Sequence, residues 1–87
     1  MADYTIAFTR SARKELEGLD AKIVKQIFPK IEALAKRPRP LMSRKIQGEK
    51  YLWRIRIGNY RVIYAVHDIE RTIDIIAVRH RREAYKF

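Results

Sequence analysis

The sequence predicts an α+β fold: an N-terminal strand and two helices packed on one face of a small, mainly antiparallel sheet. Three observations lead there. Residues Tyr4, Ile6 and Phe8 alternate with Asp3, Thr5 and Ala7, the period of a half-buried strand. Two segments between Thr9 and Lys36 then carry apolar residues at helical spacing. From Tyr51 onward the period falls back to two, with Gly58-Asn59 standing between two β-rich runs as a two-residue hairpin signal. Each helix has one apolar stripe and the hairpin has one apolar face, so the helices are expected to cover one side of the sheet. The other side is expected to be concave, basic and partly open. The whole chain, residues 1–87, reads as one small domain.

The elements follow in order. Thr9 or Ser11 caps a helix running to about Leu19, with Ala12, Leu16 and Leu19 as its stripe and Gly18 at its end. Asp20 caps a second helix that carries Ile23, Val24, Ile27, Phe28, Ile31, Leu34 and Ala35. Pro29 removes one backbone donor from it, which predicts a kinked helix to about Lys36 rather than two pieces. Arg37-Pro-Arg-Pro40 stops it. A short strand near Arg44 to Ile46 and a turn at Gln47 to Lys50 precede the hairpin. If Gly58 and Asn59 form its turn, Ile57 pairs with Tyr60, Arg56 with Arg61, Ile55 with Val62, Arg54 with Ile63 and Trp53 with Tyr64. Alternation then places Trp53, Ile55, Ile57, Tyr60, Val62 and Tyr64 on the core face and Arg54, Arg56 and Arg61 on the other. A loop at His67 to Arg71 leads into a last strand, Thr72 to Arg79, which is apolar on both faces as an interior strand should be. His80 to Phe87 reads as a helical turn or an irregular tail.

Composition narrows the function. The 47% apolar fraction is that of a packed core, not of a disordered chain. The net charge of +10 points to a polyanionic partner, such as nucleic acid, a ribonucleoprotein surface or an acidic protein. No apolar run approaches ~18 residues and the N-terminus lacks a signal-peptide pattern, so no membrane span or secretion is expected. Cysteine is absent, which fits a cytoplasmic location and excludes thiolate metal sites. Two histidines and scattered carboxylates make neither a zinc site nor a two-metal nuclease, and the three glycines form no phosphate-binding loop. No metal and no cofactor are expected.

What remains is metal-free chemistry on a phosphodiester. RNA cleaves itself when its 2′-hydroxyl attacks the adjacent phosphorus. A protein accelerates this by alignment, by neutralising the developing charge and by moving protons. Like charges gathered on one strand face are unfavourable unless something anionic lies between them. Arg54, Arg56 and Arg61 therefore read as a phosphate clamp, with same-face neighbours roughly 7 Å apart. Arg81 or Arg82 adds a contact if the tail folds back. Tyr85 would stack on a base or orient a proton, and His80 is of the residue type that titrates near neutrality. The plainer alternatives are a solvated face for the arginines, a polar strand end for His80 and an apolar anchor for Tyr85. Arg39, Arg44 and Lys45 read as a solvated or nucleic-acid-facing patch, and His67 as a loop residue.

The stretch W-R-I-R-I-G-N-Y-R-V-I-Y from Trp53 to Tyr64, with V-R-H-R-R-E-A-Y from Val78 to Tyr85, resembles the RelE/ParE toxin superfamily, and its RelE branch in particular. The similarity extends over nearly the whole chain. It implies a ribosome-dependent endoribonuclease that cuts mRNA in the ribosomal A site by 2′-hydroxyl attack without a metal. It also implies a cognate RelB-like antitoxin, acidic or amphipathic, in a toxin–antitoxin hetero-oligomer. By position it assigns Arg54 and Arg56 as the alternating basic pair, Arg61 as the arginine after the turn, and Arg81 and Tyr85 as the tail residues. Some members carry lysine at the alternating positions, with a proton-accepting role. Arginine stays protonated, so it clamps but does not serve as a base. Either proton transfer falls to another group such as His80, or activity is weaker. The competing functions are a ParE-like DNA gyrase inhibitor without chemistry and a non-toxic basic RNA-binding module.

Overall fold

Thr9 starts the first helix as its side chain allows. In the computed structural model, which describes residues 3–84, Thr9 has extended backbone and its hydroxyl oxygen accepts the Ala12 N–H at 3.1 Å. One of the donors that every helix start leaves unpaired is thereby satisfied. Helix α1 spans Arg10–Glu17 and ends at Gly18; α2 spans Ala21–Ala33 and continues through Pro29. Asp20 takes the N-cap position of α2 through its backbone, its carbonyl accepting the Ile23 and Val24 N–H groups. Its side chain makes no capping bond, contrary to the expectation from sequence. The last turn tightens: Leu34, Ala35 and Lys36 bond three residues back, so regular α geometry ends three residues before Lys36.

Five strands form one sheet in the order β1-β5-β4-β3-β2. They are β1 (Thr5–Phe8), β2 (Ser43–Lys45), β3 (Leu52–Ile57), β4 (Tyr60–His67) and β5 (Thr72–His80), followed by one helical turn, α3 (Arg81–Ala84). The β3–β4 register is the one expected, pair for pair from Ile57–Tyr60 to Trp53–Tyr64. Gly58 has φ 60 while Asn59 stays at negative φ, the signature of a type II′ turn with glycine in first place. β1 lies parallel to β5, and every other pairing is antiparallel.

One irregularity decides which way the end of β5 faces. Ile63 lies opposite Ala77 but Tyr64 lies opposite Ile75, so Ile76 is an extra residue in a β-bulge. Strict alternation from Ile73 and Ile75 would have sent Arg79 toward the core. The bulge instead brings Val78 into the core and sets Arg79 opposite Arg61. Beyond Phe8, β1 stops and α1 takes over the edge of β5. The Thr9 N–H and hydroxyl bond the Ile75 and Ile76 carbonyls, and the Glu15 carboxylate accepts the Val78 N–H at 2.9 Å and Arg79 Nε at 3.2 Å. Backbone groups at a strand edge are thus covered.

The core lies between the helices and one sheet face. Ala12, Leu16, Ile27, Ile31 and Leu34 meet Ile55, Val62, Tyr64, Ile73, Ile75 and Val78 there. No helix among the described residues is long and apolar enough to cross a membrane.

Candidate nucleic-acid interface

The face of the sheet away from the helices holds the arginines. Arg54 and Arg56 are exposed on β3, Arg61 is half-buried on β4, and Arg44 on β2 sits opposite Arg54. With Leu41 and Met42 they line a cleft of about 180 Å³. Buried Ile63, the cross-strand partner of Arg54, and Ala77 opposite it on β5 lie on the same sheet face. Long arginine stems can lie along apolar surface while their heads reach solvent. Arg81 joins from α3, where its N–H donates to the Asn59 carbonyl at 2.7 Å and ties the tail to the hairpin turn. The Arg61 guanidinium is held below its usual pKa, first by burial and then by the charges of Arg54, Arg56 and Arg81. Four cations thus repel one another at one end of the sheet. An anion placed among them relieves that repulsion, and a planar guanidinium grips phosphate through two parallel hydrogen bonds.

The remaining sequence candidates fall elsewhere. Lys45 pairs with Trp53 and so points to the helix side of the sheet. Arg39 stacks on the Trp53 ring at 5.3 Å and bonds the Asp68 carboxylate, which also accepts the Tyr4 hydroxyl. The Arg39 and Tyr4 bonds hold the Asp68 carboxyl below its usual range. Arg39 is thus part of a tie between the segment after α2 and the β4–β5 loop, away from the cleft. His80 pairs with Tyr60, whose ring it meets edge-on at 5.3 Å, and Tyr60 packs against the core. His80 therefore faces away from Arg61. Its Nδ1 accepts the Arg82 N–H at 3.3 Å. Arg82 is exposed on α3, and Tyr85 lies outside the described residues. Among the described residues, no group of three histidines or carboxylates stands close enough to hold a metal ion.

Proximity in the chain groups Arg44 with Arg39 and Lys45 in one patch, but the β2–β3 register separates them in space. Nor does any local pattern give notice of Leu41 and Met42 at the cleft.

Tyr64 ties down the segment after α2 that leads to Leu41 and Met42. This fully buried side chain donates its hydroxyl to the Pro38 carbonyl at 2.8 Å. Burial pushes its phenol up to about 12. Because the folded-state value is raised, the stabilisation is complete below the ordinary tyrosine pKa of ~10 and is lost as pH rises toward 12. Replacing Tyr64 with Phe is expected to flatten that alkaline loss relative to wild type. Urea denaturation at pH 9 and pH 11 measures it, and parallel losses in both proteins would contradict the assignment.

The chain matches the family described as the ParE toxin of the type II toxin–antitoxin system, parDE, over residues 6–85. A putative RelE-like toxin protein of Escherichia coli is 31% identical, the alignment covering 94% of this chain and 90% of that one. Among solved structures, the RelBE2 toxin–antitoxin complex of Mycobacterium tuberculosis superposes with TM-score 0.80 at 29% identity, covering 93% of this chain and 94% of that chain. The isolated RelE toxin of E. coli superposes with TM-score 0.79 at 25% identity, covering 95% and 96%.

Proposed function

The chain belongs to the ParE toxin family of type II toxin–antitoxin systems, in its RelE-like branch, and on that footing we propose that it is a ribosome-dependent endoribonuclease. Its substrate is mRNA in the ribosomal A site, and the reaction is attack of a 2′-hydroxyl on the adjacent phosphorus. The observation that carries this reading is the convergence of Arg54, Arg56 and Arg61 on one cleft, with Arg81 tied to the hairpin turn beside them. As the 2′-oxygen adds, negative charge grows on the phosphorane oxygens. Fixed cations aimed at those oxygens stabilise that state more than the ground state. The same clamp limits the rotations that take the sugar out of line with the leaving 5′-oxygen.

The described side chains lining the cleft supply charge and orientation, and none is an ordinary base. His80, turned to Tyr60, acts by positioning: its Nδ1 holds the Arg82 N–H at the start of α3, next to Arg81. Replacing His80 with Gln is expected to lower the cleavage rate severalfold and leave the shape of the pH–rate profile unchanged. Disappearance of one limb of that profile would instead return His80 to the role of base.

The partner is a RelB-like antitoxin, by analogy with the M. tuberculosis complex. An acidic or amphipathic chain complements a +10 surface with an open sheet face.

The test is to incubate the purified protein with programmed ribosomes carrying a defined mRNA and map the mRNA ends. Cleavage at the A-site codon only when ribosomes are present is the expected result. Intact mRNA together with inhibition of gyrase supercoiling would transfer the assignment to the ParE-like alternative.

A further inference from the structure

Leu41 and Met42 are large apolar side chains left exposed beside the basic cleft. Leu41 is 100% exposed and Met42 65%, side by side in the chain. Their exposure is not that of a loose loop. Pro38 is bonded through Tyr64, Arg39 through Asp68, and the Pro40 carbonyl accepts both the N–H and the hydroxyl of Ser43. The segment is pinned on both sides, and the two apolar side chains project from it. They project at the mouth of the cleft whose other lining residues are Arg44, Arg54, Arg56 and Arg61, with no carboxylate among them.

We propose that Leu41 and Met42 form a nucleobase-docking platform, taking one unstacked base of an RNA strand whose phosphate sits among Arg54, Arg56 and Arg61. The proposal rests on reading the cleft as an RNA site and adds to it the element that would sense the base. An occupant must be strongly anionic at one end and flat and apolar at a short covalent distance from it. A nucleotide has that form. Unstacked bases are held between apolar or aromatic side chains in proteins that act on them, and a thioether makes favourable contacts with aromatic rings. Fixing the base beside the clamp would also orient the sugar that carries the attacking hydroxyl, so Leu41 and Met42 are positioning residues in that reaction.

The experiment compares two short 2′-O-methyl RNA strands, which cannot cleave themselves. One is complete and the other lacks a single base, the abasic position being moved along the strand from one measurement to the next. Binding is measured by fluorescence anisotropy at low ionic strength, where phosphate contacts are strongest. Wild-type protein is expected to prefer the complete strand by about tenfold at one position, the scale of a single base contact. The Leu41→Ser/Met42→Ser protein should bind both strands alike, with the wild-type salt dependence. Arg61→Ala should weaken both strands equally. Should the double variant fail to fold, Met42→Gln, nearly the same in shape, is expected to show a reduced preference. Equal binding of both strands by wild type, no binding of either, or an undiminished preference in the folded variants overturns the platform. Weakened antitoxin binding by the double variant, with RNA discrimination intact, would make the pair a protein contact and overturns it too. The platform and the nuclease reading fail separately. Base discrimination without ribosomal cleavage keeps the first and removes the second, and cleavage without discrimination does the reverse.

Discussion

Arg61→Ala is expected to slow A-site cleavage by a factor on the order of 10² or more while leaving the fold no less stable. The rate loss corresponds to about 2.7 kcal/mol of transition-state stabilisation, the scale found for one preorganised charge-stabilising donor. Arg61 is the half-buried member of the cluster and feels Arg54, Arg56 and Arg81 together, so it is best placed to meet charge developing between them. The stability expectation has the opposite sign, because deleting one of four mutually repelling cations relieves repulsion in the free protein. A screened surface effect of this kind is worth at most about 1 kcal/mol. Arg61→Lys should fall between, since a lysine restores the charge without the two-pronged geometry. Single-turnover cleavage on programmed ribosomes and urea denaturation measure the two quantities. Wild-type turnover by Arg61→Ala would remove the central assignment. A rate loss accompanied by a large drop in stability would mean that Arg61 acts through the fold.

Tyr64→Ala should cost about 3–5 kcal/mol of folding stability, as for truncation of a large aromatic in a packed core. Tyr64 heads the fully buried side chains by volume, and its hydroxyl is the bond that ties the segment after α2 to β4. A chain of this length has roughly 4–13 kcal/mol of stability in all, so the variant is expected to be partly unfolded in mild denaturant. Tyr64→Phe keeps the packing and loses only the bond to Pro38, which is worth about 1 kcal/mol. The ratio of the two losses, read from urea midpoints, separates packing from hydrogen bonding. Equal losses would show that the hydroxyl alone carries the contribution of Tyr64 to stability. Because that segment carries Leu41 and Met42, the Phe variant also reports how far the cleft depends on its being held.

Much of the arginine cluster is legible in the sequence alone. The Gly58-Asn59 signal sets the hairpin register, and period-two alternation then puts Arg54, Arg56 and Arg61 on one face and Trp53, Ile55 and Val62 on the other. The Thr9 cap and the stripe containing Ala12 and Leu16 are equally local facts. These features depend on residues within a few positions of one another, where backbone geometry leaves few choices. Asp20 shows the limit even there. Its position at the start of α2 follows from local pattern, but whether its side chain turns to its own backbone depends on competing solvent and neighbours.

Other features depend on distant partners and have no local pattern. An alternating strand such as Thr5–Phe8 shows which residues face inward and says nothing of which strand it joins or in which direction. Its parallel pairing with β5 joins residues from opposite ends of the chain. The bulge at Ile76 changes the parity of everything after it, so Arg79 and His80 exchange faces relative to simple alternation. That shift sets His80 against Tyr60. Likewise Arg39 leaves the basic patch because Asp68, far along the chain, offers it a carboxylate. Sequence therefore determined the elements, the hairpin register and the charge that needs an anionic partner. Tertiary packing decided which cations meet, because a side chain's face is inherited from local alternation only until a bulge or a long-range ion pair intervenes.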